Sequence, residues 1–121
     1  MAVVQIIDDS PTEVHVFKTV LEGAGFNVIV AVNAEDGLAM AKNDKPDLIL
    51  MDVVMPGMNG FQATRQLSKD PGTASIPIIM ITTKDQETDK IWGMRQGAKD
   101  YIVKPVDPAD LLDRVKTLLT A

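Results

Sequence analysis

The sequence predicts an α/β fold: a doubly wound (βα)5 arrangement built on a five-stranded parallel sheet. Three observations predict it. Five short apolar runs alternate with stretches patterned for helices, as βαβ units require. The central runs are continuously apolar, as strands covered on both faces are. Four of the runs also deliver polar groups at the same end, namely Asp8-Asp9, Asp52, Thr82-Thr83 and Lys104-Pro105.

The first strand is Val3 to Ile7. Ser10-Pro11-Thr12-Glu13 then starts a helix, with Ser10 as N-cap, Pro11 at the first helical position and Glu13 closing a capping box. Val14, Phe17, Leu21 and Ala24 form its apolar stripe, and Gly23 and Gly25 end it. Phe26 to Ala31 is the second strand. Asn33 caps a second helix with Leu38 and Ala41 on its apolar side, and Pro46 marks its end. Leu48-Ile49-Leu50-Met51 is the third strand and runs into Asp52. Asn59-Gly60 opens a third helix through Phe61, Ala63, Thr64 and Leu67, and Pro71-Gly72 breaks the chain after it. Ile76 to Ile81 is strand four. Gln86 to Gln96 is a more polar helix with Gly97 at its C-cap. Tyr101 to Val103 is strand five, and Asp107-Pro108 starts a last helix that buries Leu111, Leu112, Val115, Leu118 and Leu119.

Right-handed crossovers leave few ways to order such strands, and the flavodoxin-like order 2-1-3-4-5 is the expected one. Ligands of such sheets bind beyond the carboxyl ends of the strands, where the winding reverses. In this order the reversal lies between strands one and three, which carry Asp8, Asp9 and Asp52.

At 121 residues the chain is expected to form one domain over 1–121 with no separate output domain. A net charge of −5 argues against nucleic-acid binding, which needs clustered Lys and Arg. The absence of Cys excludes disulfide and thiolate chemistry and fits a cytoplasmic location. No signal peptide and no membrane-spanning apolar run is visible, so no membrane partner is expected.

Carboxylates converging on one cleft repel one another, and a hard divalent cation with oxygen ligands relieves the repulsion. Lys104 adds a positive charge and Thr82 a hydroxyl. Carboxylates, a metal such as Mg²⁺, a Lys and a hydroxyl together suit a phosphoryl group. Asp52 can then act as the nucleophile that forms an aspartyl-phosphate.

Asp8-Asp9, Asp52 before Met55-Pro56-Gly57-Met58-Asn59-Gly60, Thr82 and Lys104-Pro105 resemble the receiver domain of bacterial two-component response regulators. The resemblance spans the chain from first strand to last helix. It implies that Asp52 accepts a phosphoryl group from a histidine kinase. It implies Mg²⁺ held directly by Asp9 and Asp52, by Asp8 through water, and by the carbonyl of Val54. Thr82 and Lys104 would contact the phosphoryl group, and Tyr101 would be an aromatic switch that follows Thr82. The Lys104–Pro105 bond would be cis. The stretches Asp52 to Leu67 and Thr82 to Lys90 look like the stand-alone, CheY-like PilH-type regulators of twitching motility. That likeness implies a chemosensory kinase, a downstream protein target and control of type IV pili. It leaves open whether the protein is a monomer or dimerises through its last two helices.

Ile91, Trp92, Tyr101 and Val106 would form a partner face on helix four, strand five and helix five. Trp92 has a second reading, as a half-buried residue closing helix four on the sheet. His15 reads as a surface residue on the first helix rather than a phosphodonor. Three other functions compete with the switch. A phosphate sink would drain the kinase without an output target. A phosphatase of the haloacid dehalogenase type usually carries an Asp two residues after the nucleophile, where this chain has Val54. A flavin binder would place its phosphate against Asp8-Asp9. No P-loop or G-x-G-x-x-G follows a strand, which counts against nucleotide binding.

Overall fold

A computed structural model describes residues 2–120. The elements alternate throughout: β1 Val3–Ile7, α1 Pro11–Gly23, β2 Asn27–Ala31, α2 Ala34–Asp44, β3 Leu48–Asp52, α3 Gly60–Lys69, β4 Ile78–Thr82, α4 Glu87–Gln96, β5 Asp100–Val103 and α5 Pro108–Leu119. The sheet order is β2-β1-β3-β4-β5, with every neighbouring pair parallel. The expected fold class and strand order are therefore those observed.

The two-residue period of the strands divides the core between the two faces of the sheet. On one face Val4, Ile6, Leu48, Leu50, Ile79, Ile81 and Ile102 pack with Phe17 and Leu21 of α1 and Leu111 and Val115 of α5. On the other, Ile7, Ile49, Met51 and Ile78 pack with Ala34 and Ala41 of α2 and Ala63 and Leu67 of α3. The small residues of α2 and α3 let those helices lie close to the sheet. The helices α1 and α3 start where the sequence places caps. The Ser10 hydroxyl accepts the Glu13 amide, and Asn59 and Gln62 form a reciprocal capping box with bonds of 2.9 and 3.0 Å.

Strands β3 and β4 run one residue further than expected, to Asp52 and Thr82, β5 starts one residue earlier at Asp100, and two strands start later than expected. Phe26 is not in β2, because its amide turns back to the Leu21 carbonyl and finishes the end of α1. Ile76 is not in β4, because its amide closes a turn onto Thr73 and Pro77 has no amide to continue a ladder.

Helix α4 corrects one reading of Trp92. Its buried residues are Gly93 and Gln96, and Trp92 is 49 % exposed. The helix meets the sheet through a glycine. A Cβ on Gly93 would stand 2.7 Å from the Met80 sulfur and 3.1 Å from the Tyr101 ring. That close approach places Trp92 outside, together with exposed Ile91 and Met94. Gly97 ends the helix in the left-handed region at φ +118°, as its position predicts.

Candidate functional site

The carboxyl ends of β1, β3, β4 and β5 meet in one acidic cleft. Asp8 follows β1 and is buried, with Oδ1 accepting the Ser10 amide at 2.9 Å. Asp52 is the last residue of β3 and is also buried. The loop after it folds back, so that the Gly60 amide donates to the Val53 carbonyl at 2.8 Å. A Cβ on Gly60 would stand 2.2 Å from the Asp52 carbonyl oxygen. Only a glycine lets α3 begin this close to the strand that presents Asp52.

Lys104 follows β5, its amide bonded to the Thr82 carbonyl at 2.8 Å. Its ammonium lies 3.4 Å from Asp52 Oδ1 and pairs more closely with Glu13 Oε2. The Lys104–Pro105 peptide is cis. Carboxylate oxygens of Asp8, Glu13 and Asp52 all lie within 4.8 Å of one another. The structure thus brings together Asp8, Asp52 and Lys104 from the expected set and adds Glu13. Asp9 sits exposed at the rim, outside this group of three.

The electrostatics follow from burial and crowding. Burial, with the charge of Asp52 and a hydrogen bond that protonated Asp8 donates to Glu13, pushes Asp8 up to about 7 against a bond from the Ser10 amide. Burial likewise raises Asp52; Lys104 opposes the rise, and the charges of Glu13 and Asp9 add to it. Burial would lower Lys104, but its bond to Glu13 and the charges of Asp52 and Asp8 more than offset this, and it is raised. A cleft whose carboxylates are raised by burial and mutual charge is one that a hard divalent cation would relieve, and its donors are all oxygen. The residues fit such an ion.

Thr82 is fully buried, and its hydroxyl accepts the Lys84 amide at 3.1 Å. The Tyr101 hydroxyl donates to the Lys84 carbonyl at 2.8 Å. One residue of the loop after β4 is therefore tied to both expected switch positions. Tyr101 is 4 % exposed, so its ring is inside and not part of the expected partner face. Its ring packs under Gly93. Ile91 and Trp92 are exposed and Val106 half-buried. The Val54 side chain is exposed beside the cleft, and His15 is exposed on α1.

Glu13 and Gly60 are the site residues that sequence reasoning missed. Glu13 looked like the closing member of a capping box. That bond needs the Ser10 amide, which Asp8 already takes. An Asp two residues before an N-cap Ser could have signalled this competition, since Asx side chains bond backbone amides two residues on. Gly60 carried no signal of its close approach.

Residues 4–116 match the response regulator receiver domain. The chain is 57 % identical to protein PilH of Pseudomonas aeruginosa, over 98 % of each chain. It also superposes on the chemotaxis protein CheY4 of Vibrio cholerae with a TM-score of 0.92 and 32 % identity, covering 98 % of each chain. A CheY-like receiver domain protein of Methanospirillum hungatei gives the same TM-score at 31 % identity, covering 99 % of this chain and 94 % of the other. Sheet order, acidic cleft and sequence agree, and the chain belongs to the response regulator receiver domain family.

Proposed function

We propose that this chain works as a stand-alone response regulator, phosphorylated on Asp52 by a chemosensory histidine kinase and controlling type IV pilus twitching motility. The observation that carries the reading is the setting of Asp52. It is a buried carboxylate ending the central strand, flanked by a Lys ammonium and by further carboxylates. The likeness to PilH supports the cellular role.

In the reaction an Asp52 oxygen attacks phosphorus, the bond from phosphorus to the donor nitrogen breaks, and the imidazole leaves with the electron pair and is then protonated from solvent. Asp8 and Asp52, with Asp9 and the Val54 carbonyl, would hold Mg²⁺. When bound, the ion neutralises phosphoryl charge. Lys104 supplies the second positive charge, and the Thr82 hydroxyl donates to an equatorial oxygen. Thr82 moves toward the phosphoryl group to do so, and because its oxygen accepts the Lys84 amide, the movement pulls on the loop that Tyr101 also holds. The surface near Ile91 and Trp92 changes as a result, and a downstream protein reads it. On this reading the protein acts in the cytoplasm, beside its kinase; no helix among the described residues is long and apolar enough to cross a membrane.

The test is intact mass after incubation with Mg²⁺ and acetyl phosphate, wild type beside Asp52→Asn, with an EDTA control. One labile, metal-dependent adduct in the wild type alone is expected. An adduct of equal yield on Asp52→Asn would move the acceptor elsewhere. Decay within seconds, with no partner captured by the phosphorylated form, would favour a phosphate sink over a switch.

A further inference from the structure

Glu13 has no part in the chemistry above, yet its carboxylate is the closest partner of Lys104. We propose that Glu13 is a positioning residue: it holds the Lys104 ammonium in the unphosphorylated protein and gives it up when the phosphoryl group arrives. The inference rests on the receiver reading and deepens it.

Three observations carry it. First, Lys104 has two carboxylates within reach and favours one. The Asp52 contact, at 3.4 Å, is beyond the usual range of an N–H···O bond, whereas Glu13 is in close contact. Second, Glu13 is available for this because its local partner is taken. It stands at the third position of α1, where an acidic side chain ordinarily folds back onto the N-cap amide. Asp8 Oδ1 already accepts that amide, and Pro11 has none to offer. The Glu13 side chain instead crosses to β5, ninety-one residues away in sequence. Third, the two partners differ in access to water. The Lys104 side chain is 13 % exposed and that of Glu13 is 35 % exposed. On losing Lys104, Glu13 is rehydrated at little cost, so the exchange is reversible. A phosphoryl group on Asp52 carries more charge than the carboxylate it replaces and lies on the side of Lys104 where contact is now long.

Phosphorylation therefore begins with Lys104 drawn aside, and releasing it should speed the step. A partly exposed ion pair corresponds to about a two- to fivefold effect on an equilibrium or rate. Two variants separate the pairing from the charge. Glu13→Gln removes both. Glu13→Asp keeps the charge but is one methylene too short to hold Lys104. Both retain the backbone amide that Ser10 caps, so α1 is kept.

The experiment measures the rate of phosphorylation by Mg²⁺-acetyl phosphate for wild type and both variants. In that reaction the bond from phosphorus to the acetate oxygen breaks and acetate leaves with its electrons. Alongside it, the Lys104 ammonium resonance is recorded by NMR in the metal-free, unphosphorylated proteins, assigned by its loss in Lys104→Arg. Expected are a two- to fivefold faster rate in both variants and a displaced ammonium resonance in both. A fast Glu13→Gln beside an Asp variant that matches wild type would reduce the effect to charge alone and overturn the proposal. So would an ammonium resonance unchanged in both. A labelled wild type with indistinguishable variants overturns the inference only. A wild type that takes no phosphoryl group overturns the receiver reading and the inference with it.

Discussion

Without metal, this protein should lose stability as pH rises from 5 to 8, and Asp8 should be the cause. The Asp8 carboxyl is raised from 3.8 to about 7 in the folded protein and returns to its ordinary value on unfolding. Between those values the folded state binds a proton that the unfolded state does not, so stability falls with pH at up to about 1.4 kcal/mol per unit. The sign follows directly. The favourable contribution is complete below about 4 and is lost as pH rises through about 7. Integrated from pH 5 to 8, the loss is about 2–3 kcal/mol. Asp52 is also raised and adds to the same sign, whereas the raised Lys104 is protonated throughout and adds nothing here. For a chain of this length that loss is roughly 8–12 °C in Tm. The assay is urea or thermal unfolding in EDTA at pH 5 and 8, for wild type and Asp8→Asn. The Asn oxygen can still accept the Ser10 amide, so the variant removes the titration and keeps the bond. It should flatten most of the slope. Mg²⁺ should restore stability at pH 8 more than at pH 5, because it competes with the proton for the same oxygens. A metal-free protein at least as stable at pH 8 as at pH 5 would refute the reasoning, as would an undiminished slope in Asp8→Asn.

Two further substitutions probe how the site is held. Gly60→Ala should cost about 2–3 kcal/mol, because its Cβ would press on backbone atoms of Asp52 and Val53 that cannot yield as a side chain can. Urea unfolding checks this, and an unchanged midpoint would mean that the loop moves aside freely. Tyr101→Phe should cost about 1 kcal/mol in the same assay by leaving the Lys84 carbonyl without its donor. It should also loosen the loop after β4, read as faster hydrogen exchange at the Lys84 amide; unchanged exchange would remove Tyr101 from the switch.

The fold was legible because its signals are local and repeated. Each strand is a short apolar run, the first three helices start on side-chain caps at Ser10, Asn33 and Asn59, and the sheet order follows from connection rules that leave few alternatives. Asp8, Asp52, Thr82 and Lys104 were legible for the same reason, since strand ends in a parallel sheet point to one edge. Trp92 was not, because its exposure is decided by how closely α4 can lie on Met80 and Tyr101, and that depends on Gly93. A large aromatic beside a glycine invites the reading that the aromatic is the packing residue. Here the glycine makes the contact and the aromatic is left outside.

The acidic cluster shows the same limit from the other side. Asp8-Asp9 reads as a pair, but β1 ends at Ile7 and Asp9 stands in the bend that follows, at the rim, where its charge still acts on Asp52. Asp8 joins Asp52 in the interior, whereas Asp9 is exposed. The third carboxylate comes instead from Glu13, one turn into α1. It is brought there by the same Asp8 side chain, which takes the amide that Glu13 would otherwise bond. Asp8 thus acts twice: it supplies a carboxylate to the cleft and directs the carboxylate that restrains Lys104. If so, Asp8→Ala should do more than remove a charge. By freeing the Ser10 amide it should let Glu13 close its capping box and release Lys104 to Asp52, so the Lys104 ammonium resonance in the metal-free protein should move as it does in Glu13→Gln. A Lys104 resonance that moves in Glu13→Gln but not in Asp8→Ala would show that the two roles of Asp8 are not linked.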